Sequence, residues 1–444
     1  MIAEYTQKRT LQKTDNSKML IAACAIIGTL ILMGTNSPLF TLMGFAMCII
    51  VCVQATLEFS LSTLFFILPM ATIFKFAPGQ TSVFTFVQLI WVLCAFYKTG
   101  MQATKTDIAV VLFSFYLLIC QIFCGGLNIS ATIKLAFGIL MLLMVKKEGL
   151  YDNYFLIFTS YIFGVLTSSL FMLINSPLFN IVIYVTSKTE RLAGSESGDY
   201  ITRFAGLYGD PNYYSVNLII AMILLLCLFR KKKITAMQTV VLLIPLVFLA
   251  AKTGSKSALI MLIIPASLFI YISIKNKRYV IALASVAVIG IAIWMLFNGR
   301  IAAFSIAIQR LTANHSSLNE LTTGRGAKWI EFLEYIWNRP MVLLFGKSLL
   351  NVTLNGGAPH NTYIDMFFQL GLVGTVWMTC ILSITWIDRS YRRTVLNYSL
   401  VGAVFILYFF LSELQYSDFP FHLSLCLIVA NMDFEVNENI GVEV

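Results

Sequence analysis

Apolar positions in this chain come in long, nearly unbroken runs, and short polar stretches punctuate them. A helix rising about 1.5 Å per residue must cover about 30 Å of hydrocarbon, so a membrane span needs roughly 17–25 mostly apolar residues. Runs of that kind occupy approximately 18–34, 39–57, 60–76, 81–97, 107–124, 130–145, 151–174, 212–229, 234–251, 257–274, 279–297, 361–384, 396–411 and 419–433. The pattern predicts an all-α polytopic membrane protein with about 14 (12–14) transmembrane helices, since 60–76 and 419–433 are short. Helix is the only element open to these runs, because a strand edge exposed to lipid leaves its backbone polar groups without partners.

Two polar stretches, 175–211 and 298–360, exceed what joining two helices requires. They divide the chain into an N-terminal transmembrane block at 1–297 carrying the outer loop 175–211, a long loop at 298–360, and a C-terminal transmembrane block at 361–444. Within the second loop, Trp329, Phe332, Leu333, Ile336 and Trp337 recur at helical spacing, and Lys328, Glu331, Glu334 and Asn338 take the other face until Pro340 stops the run. This predicts an amphipathic helix lying in the membrane interface with its tryptophans at headgroup level, the alternative being that it packs on neighbouring outer loops.

Composition agrees with the hydrophobic pattern: 59% of the 444 residues are hydrophobic and 12% charged, against roughly 45–50% and about 25% in soluble domains. A formal charge of +10 raises the question of a nucleic-acid partner, but most of the basic residues sit in short clusters between apolar runs, where they set topology. Lys8, Arg9, Lys13 and Lys18 precede the first run. Lys98 with Lys105, Lys146 with Lys147, Arg230-Lys231-Lys232-Lys233, Lys275 with Lys277 and Arg278, and Arg389 with Arg392 and Arg393 follow in alternate loops. With fourteen helices all fall on the side of the N-terminus, which the positive-inside rule makes the cytoplasm, and both long loops then face outside. Residues 1–18 are polar and basic with no small-residue cleavage site behind the first run, so that run reads as an anchor. The nine cysteines fall in or beside apolar runs without a CxxC spacing and read as small buried hydrophobes, implying neither disulfides nor a metal site.

Four outward-facing clusters carry candidate chemistry. They are Arg203-Phe204-x-Gly206-x-x-x-Asp210-Pro211-Asn212, Thr253-Gly254-Ser255-Lys256-Ser257 preceded by Lys252, Gly324-Arg325-x-x-x-Trp329 with Asn338-Arg339-Pro340 and Phe345-Gly346 downstream, and His360-Asn361-Thr362-Tyr363-Ile364-Asp365 with Gly371-Leu372-Val373-Gly374. A phosphate or diphosphate at the headgroup boundary needs positive partners. Arg and Lys supply charge-assisted hydrogen bonds worth about 1.5–3 kcal/mol each, and the amides of residues 254–257 open a helix whose macrodipole favours anions. His360 is the outer residue whose ordinary pKa lies near neutrality, which suits a general base; Asp210, Glu413 and Asp418 are rivals for that role. Each residue also has a plainer reading. Arg203 and Arg325 fit headgroup snorkelling, Lys252 fits headgroup contact, His360 fits a helix start, and Asp210-Pro211-Asn212 fits a turn and cap. His315 and His422 read as structural.

These four clusters, in this order over roughly 200–380, resemble the O-antigen ligase and polymerase (Wzy/WaaL) superfamily. The resemblance implies a GT-C-like membrane fold and inverting glycosyl transfer without metal or cofactor, from an undecaprenyl-diphosphate-linked oligosaccharide, at the outer face of the bacterial plasma membrane. By position it implies catalytic roles for Arg203, Arg325 and His360. Lys256 stands where the family commonly has Arg; lysine keeps the charge and loses the planar fork. Asp210, Asn212, Lys252, Ser255 and Asn361 are the accompanying substrate-binding candidates. The expected activity is polymerisation of a surface polysaccharide, O-antigen, capsule or exopolysaccharide, with a chain-length regulator and a flippase as expected partners. The alternatives are an O-antigen ligase acting on lipid A–core and, from another class, a transporter or lipid-diphosphate flippase, whose families generally show internal repeats, broken helices and mid-membrane charge.

Overall fold

The computed structural model describes residues 2–34, 37–77, 80–100, 103–123, 127–174, 192–194, 200–202, 204–208, 210–283, 285–287, 290, 325–347, 349, 354–355, 357–386, 395–409 and 419–432. Helices dominate these segments. The N-terminal block holds α1 (Ile2–Gly34), α2 (Pro38–Gln54), α3 (Leu57–Ile67), α4 (Val83–Lys98), α5 (Lys105–Phe123), α6 (Ile129–Lys147) and α7 (Tyr154–Ile174). A two-stranded antiparallel ribbon, Leu192–Gly194 against Tyr200–Thr202, falls within the first long loop. Then come α8 (Pro211–Arg230), α9 (Ala236–Lys252), α10 (Lys256–Met261) and α11 (Ile263–Lys275), with further helical turns at 279–283 and 285–287. The second long loop contributes α12 (Arg325–Trp337) and α13 (Pro340–Phe345), followed by α14 (Thr362–Trp386), α15 (Val395–Phe409) and α16 (Phe419–Asn431).

Among the described residues, six helical segments are long and apolar enough to cross a membrane: 17–34, 105–123, 129–147, 211–230, 256–275 and 362–383. Shorter apolar helices accompany them, consistent with a polytopic membrane protein. Most of the expected runs recur as helices, the first beginning at residue 2, well ahead of its run, and of the run at 279–297 the structure describes only 279–283, 285–287 and 290. Three depart from a simple rod, α14 at Gly371 among them. The run at 60–76 ends in a 3-10 turn, Leu68–Met70, at Pro69, and the run at 257–274 is interrupted at Leu262. Pro265 explains the interruption at Leu262: its ring clashes with the carbonyl four residues back, that of Met261, and it has no N–H to donate.

The centre of the bundle is α8, in which every residue from 213 to 229 is buried. Its 20 residues span about 30 Å, the thickness of the hydrocarbon layer. Close to its start a polar network crosses four helices. The Tyr161 hydroxyl donates to Asn217 Oδ1 at 2.8 Å, His422 Nε2 lies 3.3 Å from the same oxygen, and the Tyr408 hydroxyl lies 2.8 Å from His422 Nδ1. Asn217 Nδ2 donates to the Tyr213 carbonyl at 3.0 Å. All four side chains are buried, and one assignment satisfies them together: His422 neutral with its proton on Nε2, Tyr408 donating to Nδ1. His422 is thus structural, tying α16 to α7, α8 and α15.

The amphipathic helix α12 divides its apolar side. Phe332 and Ile336 are buried against Phe368 of α14, with the Phe332 and Phe368 rings 4.9 Å apart, whereas Ile330, Leu333 and Trp337 remain exposed. It packs on α14 and on the loop segment around Leu354 and Asn355, and keeps an apolar face outward. Cys380 also departs from expectation, being exposed on α14 while most of the other described cysteines are buried.

Helix α14 breaks at Gly371 (φ 66°, ψ −175°), near the middle of the 362–383 segment. The end of α13 fills the break. Lys347 N donates to the Phe368 carbonyl at 2.8 Å, and a Cβ built on Gly371 lies 2.3 Å from Gly346 N, while one built on Gly346 lies 2.2 Å from the Gln369 carbonyl oxygen. Both glycines have positive φ and touch backbone, so no side chain fits at either position. Gly371→Ala therefore destabilises the folded chain by at least the ~1–3 kcal/mol of a forced backbone conformation, and thermal unfolding in detergent shows a lower midpoint. Gly402→Ala, where an added methyl meets open space, leaves the midpoint unchanged or raises it.

Candidate functional site

The first two candidate clusters meet at the start of α8. Asp210 caps that helix, its Oδ1 accepting from Asn212 N at 2.8 Å. Asn212 Oδ1 in turn accepts from the Ser255 hydroxyl at 3.1 Å. Ser255 caps α10, accepting from Ala258 N, and lies 2.9 Å from the Ser257 hydroxyl. Phe204 N donates to the Lys252 carbonyl at 3.0 Å, closing the hairpin against the preceding segment. The plain reading of Asp210 as a turn and cap residue thus holds, and Asn212 couples two helix starts. Lys256 is the first residue of α10 and half-buried, while Lys252 is exposed with its ammonium 5.6 Å from the Phe248 ring centre. Arg203 lies outside the described residues, as do Glu413, Asp418 and His315.

The other two clusters form a second group on α12 and α14. Arg325 is the first residue of α12 and half-buried. One turn on, Lys328 Nζ pairs with Glu331 Oε2 at 2.8 Å and donates to the Leu354 carbonyl at 3.3 Å, and Asn355 Nδ2 donates to Glu331 Oε1 at 2.6 Å. The Lys328 hydrogen bond, assisted by its charge and by Asn355, holds the Glu331 carboxyl below its ordinary pKa. The pair fastens the segment leading to His360 onto α12. His360 itself has φ 52°, uncommon outside glycine and a conformation that concentrates at functional sites. Asn361 then starts α14, its Oδ1 accepting from Tyr363 N at 3.0 Å and Ile364 N at 3.3 Å.

Helix packing brings the two groups to the same end of the bundle. Tyr363, at the start of α14, donates its hydroxyl to the Phe405 carbonyl of α15 at 2.8 Å. Tyr408, one turn further along α15, joins His422 and through it Asn217, less than two turns below Asn212. At the opposite end of α8, Arg230 Nη1 donates to Asn276 Oδ1 at 2.9 Å and the Arg278 guanidinium lies 5.5 Å from the Phe229 ring centre. The clusters Arg230–Lys233 and Lys275–Arg278 therefore share the far end, about 30 Å away. A cleft of about 510 Å³ between α1, α3 and α7 is lined by none of the candidate residues. Among the described residues no three His, Cys, Asp or Glu side chains gather as a metal site.

Two basic residues received no role from the sequence although one motif contains the first of them. The Arg339 guanidinium lies 3.7 Å from the Tyr335 ring centre, and the Lys347 ammonium lies 5.0 Å from the same centre and 6.0 Å from that of Phe368. The signal was the Asn338-Arg339-Pro340 and Phe345-Gly346 pair at the ends of α13, with Arg339 four residues after Tyr335; Lys347 reaches the same ring through the docking of α13 on α14.

No protein-family model, curated protein or solved structure matches this chain. Its local chemistry is directly testable. Ser255→Ala removes both the α10 cap and the bond to Asn212 and costs about 1 kcal/mol, whereas Ser255→Thr keeps the hydroxyl and costs less; unfolding midpoints of the two variants give the difference.

Proposed function

We propose that this protein is a multi-pass plasma-membrane glycosyltransferase that polymerises a bacterial surface polysaccharide from undecaprenyl-diphosphate-linked repeat units. The observation that carries the reading is that the group of Asn212, Ser255 and Lys256 and the group of Arg325, His360 and Asn361 lie toward one end of the bundle, with Arg230–Lys233 and Lys275–Arg278 at the other. Basic loops mark the cytoplasmic end, so the candidate site faces outward. In this reading all fourteen apolar runs cross the bilayer in a GT-C-like arrangement, with both termini inside.

The reaction is an inverting displacement. A hydroxyl of the acceptor repeat unit attacks the anomeric carbon of the donor glycan, and His360 accepts the hydroxyl proton. The bond from that carbon to the diphosphate oxygen breaks, and the lipid diphosphate leaves with the electron pair. Arg203, Lys256 and Arg325 hold the departing charge, and the amides of residues 254–257 add the field of a helix start. Asn212 and Ser255 set the position of Lys256, and Asn361 sets that of His360.

A second reading rests on the broken helix: a discontinuity at Gly371 inside a membrane-long segment is a common feature of transporters. The first reading is favoured because the backbone freed at Gly371 is closed by Gly346 and Lys347 rather than left to line a pathway.

Incubation of the purified protein with lipid-linked repeat unit, with and without lipid A–core, distinguishes these readings. Polymerisation gives a ladder on a gel, a ligase caps added lipid A–core, and a flippase moves lipid without forming a glycosidic bond. Arg325→Ala and Arg203→Ala each lower turnover by about 10²–10³-fold, the usual effect of removing one transition-state donor. His360→Asn, chosen because Asn accepts positive φ, keeps the unfolding midpoint and loses the ladder; ladders of wild-type length from these variants contradict the assignment.

A further inference from the structure

Arg339 and Lys347 flank α13: Arg339, four residues after Tyr335, stacks on its ring, and the docking of α13 on the α14 break brings Lys347 to the same ring. Neither cation forms an ion pair with a described carboxylate. Arg339 is exposed and uses one donor on the Tyr335 carbonyl at 3.4 Å; Lys347 is half-buried. The backbone at Lys347 is tied to α14, its amide bonded to the Phe368 carbonyl and Gly346 in close contact with Gly371. Next to them α12 and α13 present a run of exposed apolar side chains, Trp337 (76% exposed), Met341 (69%), Leu344 and Phe345. Two positive charges beside one ring and next to uncovered hydrocarbon match a molecule that carries an anion on one part and a hydrocarbon chain on another.

We propose that Tyr335, Arg339 and Lys347 form a binding site for the phosphate headgroup of an anionic membrane lipid, whose acyl chains lie along Trp337, Met341, Leu344 and Phe345. The guanidinium offers a planar fork to two phosphate oxygens and the ammonium a point charge to a third. Tyr335 holds both cations through its ring face. The site is separate from the residues given catalytic roles above and does not depend on the glycosyltransferase reading. It gives the apolar face of α12 a lipid occupant and anchors the outer loop that carries His360.

The test is lipid retention by the full chain. The purified protein is equilibrated in mixed micelles of phosphatidylglycerol and phosphatidylcholine, and bound lipids are counted by native mass spectrometry. Wild type retains phosphatidylglycerol in preference to phosphatidylcholine. Each basic residue near a lipid surface contributes a factor of about 5, so R339Q/K347Q loses retention by on the order of 25-fold. The charge-conserving variant R339K/K347R keeps most of it, and the unfolding midpoints of all three proteins agree. Equal phosphatidylglycerol retention by wild type and R339Q/K347Q overturns the proposal. So does displacement of the lipid by inorganic phosphate alone, which would make the site one for a soluble anion.

Discussion

Hydrocarbon offers no partner to a backbone N–H or C=O, and that constraint shapes this molecule more than any single contact. It makes the apolar runs helical, and it also governs the place where a helix fails. At Gly371 the chain of α14 leaves helical geometry, and groups that would have bonded within the helix need another source. The turn after α13 provides it: Lys347 N reaches the Phe368 carbonyl, and the two glycine backbones come together closely enough to exclude any side chain. The break is thus sealed by protein. As a consequence, a segment of the long loop becomes part of the bundle and carries α12, and with it the approach to His360, into a fixed position.

The same constraint sorts charge. Along α8, from residue 213 to 229, everything is buried, and the polar groups that do enter, Asn217 with Tyr161, Tyr408 and His422, saturate one another. Ionic side chains are left to the helix ends. One end collects Arg230, Arg278 and their neighbours; the other collects Lys252, Lys256, Arg325 and His360 around capped helix starts. The capping residues Asp210, Ser255 and Asn361 each satisfy a helix start, and Asp210 and Ser255 also bond Asn212, which couples two of those starts. A chemistry that handles a charged lipid headgroup needs that combination of buried scaffold and charged rim.

Much of the scaffold is legible in the sequence because a buried helix writes its length directly into a run of apolar residues. The break at Leu262 was open to the same reading through Pro265, and the turn at Leu68–Met70 through Pro69. Other features leave no local trace. Gly371-Leu372-Val373-Gly374 reads as a motif, and nothing adjacent announces that Gly346 will dock there. The bond between Asn217 and His422 joins residues 205 positions apart. At the candidate site, Asp210 and Asn361 are recognisable as caps from residue type. The coupling of Asn212 to Ser255, and the approach of Lys347 to Tyr335, arise only from packing between elements, whereas Arg339 reaches that ring as its neighbour four residues on.

The claim on which the account stands is that both candidate groups occupy the extracytoplasmic end of one bundle. Labelling of single added cysteines with a membrane-impermeant thiol reagent in intact cells measures this directly, at the exposed positions Lys252, Asn355 and Lys277. Lys252→Cys and Asn355→Cys label from outside, and Lys277→Cys labels only after the membrane is opened. Labelling of Lys252→Cys and Asn355→Cys from opposite sides would contradict the account.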